Sequence, residues 1–142
     1  STTLGAAYTV NSCTFAGTPT TSVDTYTNNG DATAERNLYI AVRDSGNSNS
    51  AIVRLDSVGN LVATYDYGDV FINDLFLDTG HGDGIYLVAG GYYDAGAVNK
   101  RPLTFRISLD GTVQWQRNLY LNAEEGEITD VLAFGDVVYA VG

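Results

Sequence analysis

The sequence predicts an all-β chain of antiparallel four-stranded repeats, and three observations carry that expectation. Aromatic and β-branched residues, among them ten tyrosines, are mixed with sixteen glycines, a composition that suits strands joined by turns. Short stretches such as "LTFRISLD" and "TVQWQRNL" alternate apolar and polar residues, the period-2 pattern of a strand with one buried face. No segment keeps helical spacing, and the acidic "AEEGEIT" is broken by Gly126 and reads as a loop.

The pieces recur in a fixed order. "LYIAV", "IYLVAG" and "VYAVG" place Tyr39, Tyr86 and Tyr139 roughly fifty residues apart, a repeat-sized period. Between these marks "AIVRLDSVGNLVATYDYG" answers "LTFRISLDGTVQWQRNLY", with Arg54 and Arg106 aligned, and "VFINDLFLDTG" answers "EITDVLAFGD", setting Asp74 against Asp130. The hairpin "RISLDGTVQWQRNL" turns at Asp110-Gly111, residues that tolerate the positive φ of a tight turn. Its counterpart, "VRLDSVGNLVATYD", uses what reads as a longer loop. In this scheme residues 1–37 form an N-terminal arm or a degenerate unit, 38–84 and 85–137 are two repeats, and 138–142 open a third.

A four-strand antiparallel unit of forty to fifty residues has the size of a propeller blade. The segments "RLDSVGNLVATYDYG … DGIYLVAGG" and "FRISLDGTVQWQRNLY … VVYAVG" resemble the blade repeats of secreted and surface bacterial propeller proteins, over roughly residues 38–142. In that pattern an "LDxxGxxxW" segment precedes a "YxxG" strand; the first copy departs from it, with Tyr65 or a neighbour where tryptophan is usual. The resemblance implies architecture more than activity, since such blades serve adhesins, surface layers, binding modules and enzymes.

Composition narrows the partners. Seven basic against seventeen acidic residues give a formal net charge of −10, which repels a phosphate backbone and argues against nucleic acid and anionic membrane surfaces. The longest apolar runs are strand-sized, far short of the roughly 18 residues that span a bilayer as a helix. The chain has no methionine and begins "STTLGAAYTV", which points to a removed leader or to a piece of a longer product. An extracellular or cell-surface location follows from the leader reading. Cys13 has no second cysteine in the chain, so it is a candidate for an intermolecular disulfide or a buried thiol. The hydroxyl-rich "STT", "NSCT" and "TPTTS" are candidate sites for O-linked sugar.

Candidate chemistry is sparse. His81, the sole histidine, sits among turn residues in "DTGHGDG" with no second histidine to complete a metal motif. Asp78 and Asp83 flank glycines in the same stretch and are weak calcium candidates, though the spacing is not that of an EF-hand and a tight turn accounts for it equally. Asp74 and Asp130 recur with the repeat, which favours backbone capping over a catalytic pair. Tyr65, Tyr67, Tyr92 and Tyr93 form either a stacking platform for sugar or protein, or packing between sheets. No nucleophile elbow, P-loop or dinucleotide fingerprint is present, so no cofactor is expected.

The leading expectation is therefore a non-enzymatic extracellular structural protein. Its repeats complete one another between copies by strand addition, as a surface multimer or filament, with "AAYTV" or "SCTFAG" as candidate donated strands. The alternatives are a fragment of a larger propeller that binds glycans or other surface proteins, and, last, a propeller-type enzyme.

Overall fold

The computed structural model describes residues 8–16, 37–44, 50–56, 59–93, 100–119 and 125–142. They form ten strands: β1 (Tyr8–Ala16), β2 (Asn37–Asp44), β3 (Ser50–Asp56), β4 (Leu61–Asp66), β5 (Val70–Asp78), β6 (Tyr86–Tyr93), β7 (Arg101–Ser108), β8 (Val113–Asn118), β9 (Asp130–Phe134) and β10 (Val137–Val141). All pairings are antiparallel and run in sequence order. Sheet 1 is β1-β2-β3-β4, sheet 2 is β5-β6-β7-β8, and β9-β10 is a separate two-stranded sheet 3.

The sheets are out of phase with the sequence repeats. Each begins one strand before the 38–84 and 85–137 units, so that the first repeat spans the last three strands of sheet 1 and the first strand of sheet 2. The N-terminal segment supplies β1, whose Cys13 lies opposite Ile40. The stretches considered for donation are thus used, through β1, inside the chain's own first sheet. The first strands β1, β5 and β9 lie side by side, while β4 and β8 are sheet edges and mostly exposed. The β7–β8 hairpin with Trp115 is accordingly an outer pair of its sheet.

Both outer hairpins use one loop design. Gly59 N donates to Asp56 O at 3.0 Å and Gly111 N donates to Ser108 O at 2.9 Å. The two glycines have φ of 85° and 90°, as a three-residue turn with a left-handed last residue requires. The loop in "DSVGN" is thus no longer than the one in "SLDGT". Asp110 Oδ1 accepts from Thr112 N at 3.0 Å and Asp56 Oδ1 from Asn60 N at 2.8 Å, each acid tying its own turn.

Pairing also redraws the repeat. Arg54 lies opposite Tyr39 and Arg106 opposite Val88, while Asp74 faces Gly90 and Asp130 faces Val141. Tyr39, Val88 and Tyr139 therefore correspond, and Tyr86 sits two residues off, with Asn37 and Val137. Two glycines support this register: a Cβ on Gly91 would lie 1.7 Å from Phe71 O and one on Gly142 1.8 Å from Glu127 O, the same close approach at matching places. Matching tyrosine to tyrosine in the sequence missed the shift.

Among the described residues alternation divides the buried apolar residues into three clusters, one of them Ile40, Val42, Val53 and Leu55 on the outer face of sheet 1. Tyr39, Ala41 and Ile52 of sheet 1 pack against Leu87, Ala89, Leu103, Phe105 and Ile107 of sheet 2. Val88, on the other face of β6, packs against Ile128, Val131 and Ala133 beneath sheet 3. Strand β6 is buried along six consecutive residues, the run expected of a strand covered on both sides. Fully buried side chains such as Leu87, Leu103 and Ile107 each contribute about 2 kcal/mol of apolar transfer.

Candidate functional site

Two neighbouring features of sheet 3 stand out: an apolar face with an open strand edge, and a cleft where the β9–β10 hairpin meets sheet 2. On the face, Leu132, Phe134, Val137, Tyr139 and Val141 are all exposed, Phe134 at 80%. The corresponding positions of β5 and β6 include Phe76, Tyr86 and Val88, all at least half buried where sheet 3 covers sheet 2. β10 pairs with β9 alone among the described residues. Among the described residues a strand edge and its flanking apolar face are thus both open, the combination that invites pairing with another strand.

Sheet 3 is anchored on sheet 2 by polar contacts. Asp74 Oδ2 accepts from Val131 N at 3.0 Å, and Asn73 Nδ2 donates to Ile128 O at 2.8 Å. This is the backbone-bonding role expected of Asp74; Asp130 holds the corresponding place on the exposed face. At the other end of the hairpin His81 Nε2 meets Asp136 Oδ1 at 2.7 Å, and its Nδ1 bonds Asp83 Oδ1. The ring also meets Tyr86 edge-on at 5.4 Å between centroids. His81 thereby joins the β5–β6 and β9–β10 turns, a structural use.

The cleft, about 270 Å³, is lined by Asp78, Arg106, Trp115, Arg117, Gly135, Asp136 and Val138. The Arg106 guanidinium lies 3.6 Å from the Tyr86 ring centroid and 3.6 Å from Asp83 Oδ1. Its Nε is buried with no hydrogen-bond partner among the described residues. Arg117 is exposed on outer strand β8, 6.0 Å from the Trp115 ring. Alternation places Trp115 and Arg117 on one face in the sequence; that this face borders a cleft depends on where sheet 3 packs, which no local pattern reveals.

Asp78 and Asp83 each have their own partners. Asp78 is 2% exposed and accepts from Gly80 N at 3.0 Å, closing the turn. For Asp83, desolvation raises the pKa, but the hydrogen bond and charge of His81, with Tyr86 and Arg106, outweigh it and hold the carboxyl below its ordinary value. A guanidinium so close opposes a bound cation. Among the described residues no group of three or more His, Cys, Asp and Glu is placed to hold a metal ion.

The tyrosines are used in packing. Tyr92 is 6% exposed and stacks on Phe71 at 4.4 Å between centroids, with Lys100 Nζ 4.7 Å from the ring centroid. Tyr93, Tyr65 and Tyr67 pack against the core between sheets 1 and 2, and Tyr67 meets Phe105 edge-on at 5.3 Å. Tyr65 Oη donates to Leu109 O at 3.2 Å and Tyr67 Oη to Gly111 O at 3.0 Å. Buried Tyr39 adds a bond to Leu109 O at 2.9 Å. Three hydroxyls from sheet 1 thus grip the β7–β8 turn. Burial, reinforced by Tyr65 and Asp110, pushes the Tyr67 phenol well above its usual pKa.

Comparison with protein-family models, curated proteins and solved structures returns no match for this chain.

Proposed function

We propose that the chain is a propeller-type repeat protein, non-enzymatic and extracellular, whose work is assembly: sheet 3 is completed by a second copy, building a surface multimer or filament. The observation that carries this reading is the exposed Leu132, Phe134, Val137, Tyr139 and Val141 face beside the open β10 edge. Its occupant is argued from repetition. Sheets 1, 2 and 3 stack in the same sense, and the positions open on sheet 3 are those that the next sheet covers on sheets 1 and 2. Asp130, in the place of Asp74, is set to accept a backbone N–H from the covering strand. Contacts of this head-to-tail kind close into rings or extend as fibres, depending on the rotation between copies.

Sedimentation velocity and negative-stain imaging of the native material test the reading. Discrete multimers or fibres are expected, and Tyr139→Asp, an exposed position whose charge opposes burial, should return the chain to monomers. A wild-type chain that stays monomeric across the concentration range removes the proposal, as does an intact mass showing that further repeats on the same polypeptide occupy the face.

A further inference from the structure

We propose that His81 is a pH-sensitive latch: with both ring nitrogens protonated it clasps the tip of the β9–β10 hairpin to sheet 2, and loss of one proton loosens that tip. The latch works within one chain, whether or not copies assemble.

The geometry sets the number of protons. His81 Nδ1 meets Asp83 Oδ1 on its own turn, and Nε2 lies 2.7 Å from Asp136 Oδ1 on the β9–β10 turn. An ionised carboxylate only accepts and a neutral imidazole carries a single N–H, so both bonds exist together only on the imidazolium. While the tip is docked, the neutral ring sets a lone pair against one of the two carboxylates, whichever nitrogen keeps its proton. Withdrawing Asp136 relieves this, because Asp83, two residues from the ring, can accept the remaining N–H. Docking of the tip is therefore strongest where the ring holds two protons, and weakens as rising pH removes one.

The surroundings supply the rest of the switch. The His81 side chain is 15% exposed, whereas that of Asp136 is 90% exposed and reaches the ring from the solvent side. Charged and titratable groups face this corner from every neighbouring strand: Asp78 at the end of β5, Tyr86 on β6, Arg106 on β7 and Arg117 on β8. With Asp83 and Asp136 they set three carboxylates against two guanidiniums, so an imidazolium balances the corner. Arg106 opposes the second proton, but its charge is shared between Asp83 Oδ1 at 3.6 Å and the Tyr86 ring. Although desolvation raises the Asp83 pKa, the hydrogen bond and charge of His81, with Tyr86 and Arg106, hold it below its ordinary value. An acceptor-only carboxylate therefore stands at Nδ1 wherever a histidine titrates.

Motion is confined to the tip. Farther along the hairpin Val131 N donates to Asp74 and Asn73 donates to Ile128 O, and Val131 and Ala133 are buried with Val88; none of these contacts involves the ring. At the tip, Gly135 and Asp136 line the cleft together with Trp115 and Arg117, so loosening the tip reshapes that cleft.

The test uses the full chain, in which His81 is the sole histidine and gives one assignable ring signal. NMR shifts of the ring are followed from about pH 5 to about pH 8.5 in the wild type and in Asp136→Asn, a change at an exposed position. By linkage, the factor by which Asp136 tightens the second proton is the factor by which that proton tightens the tip. For an exposed ion pair it should be about two to five, read as weaker proton binding in Asp136→Asn. Opening is measured by the thiol-labelling rate of Ala133→Cys in a Cys13→Ser background, Ala133 being buried beneath sheet 3. His81→Gln, with one amide donor at every pH, should speed labelling by about two- to fivefold at the acid end and hardly at all at the alkaline end; comparing rates at the same pH cancels the thiol's own titration. Equal proton affinity in the wild type and Asp136→Asn overturns the latch. A ratio of labelling rates that stays constant with pH also overturns it, since a merely structural role for His81 would act at every pH alike.

Discussion

Replacing Gly111 by alanine tests how sheet 2 is held on sheet 1. Gly111 has φ of +90°, where a side chain costs about 1–2 kcal/mol. An added Cβ would also lie 2.3 Å from Tyr65 Cδ1 and 2.6 Å from Cε1, far inside contact distance. The ring must move, which endangers the Tyr65 bond to Leu109 O, worth about 1 kcal/mol, and adds about 1–3 kcal/mol of overpacking. The total loss is about 3–6 kcal/mol. Gly59→Ala supplies the reference. Its φ is +85°, and a Cβ there meets nothing within 4 Å, so only the backbone strain of about 1–2 kcal/mol is expected. Urea denaturation of both variants measures the difference as a shift in midpoint at constant slope. In a Tyr65→Ala background the excess cost of Gly111→Ala should largely vanish. Equal losses for the two glycine variants would refute the idea that the turn is seated on the tyrosines.

Other expectations follow from the same contacts. Tyr67→Phe deletes the hydroxyl that donates to Gly111 O and should cost about 1 kcal/mol in urea titration. Because the Tyr67 pKa is raised in the fold, its neutral form is the stabilising one; that contribution is present below the ordinary value near 10.0 and is lost as pH rises beyond it, so Tyr67→Phe should blunt alkaline unfolding. Asp83 is held low as described, and Asp110 is held low first by the Ser108 hydroxyl and then by Thr112. Their contributions are present above the ordinary carboxylate value of 3.8 and lost as pH falls below it, and an Asp83→Asn, Asp110→Asn double variant should show a flatter acid limb in thermal melts. Asp74→Ala leaves Val131 N without that acceptor and should cost about 1–3 kcal/mol, with faster amide exchange in β9 than in β6.

Hairpins, turn glycines and the fifty-residue recurrence were legible because each is written in neighbouring residues: alternation in "LTFRIS", Asp-Gly at a turn, Arg54 answering Arg106. The phase of the sheets was not, because a repeat has no first strand until a neighbour pairs with it. "YTVNSCTFA" shares little with β5, yet it takes the same place through its register with β2. The match of Tyr39 to Tyr86 failed for a related reason: residue type is a weaker guide to register than the arginine each strand faces. Asp74 was legible as a capping acid through its recurrence. The cleft was not, since Arg106, Trp115 and Arg117 reveal only a shared face, and whether that face is filled depends on strands of another sheet.

The two-ended attachment of β9–β10 has a consequence for how growth would proceed. Held by Asp74 at Val131 and by His81 at Asp136, the hairpin presents β10 as an edge already ordered before any strand arrives. Conformational entropy for that half of the new pairing has been lost during folding of the single chain. On the assembly proposed above, addition of a copy would be closer to templated docking than to coupled folding, and its rate would depend more on concentration than on slow rearrangement of the accepting end.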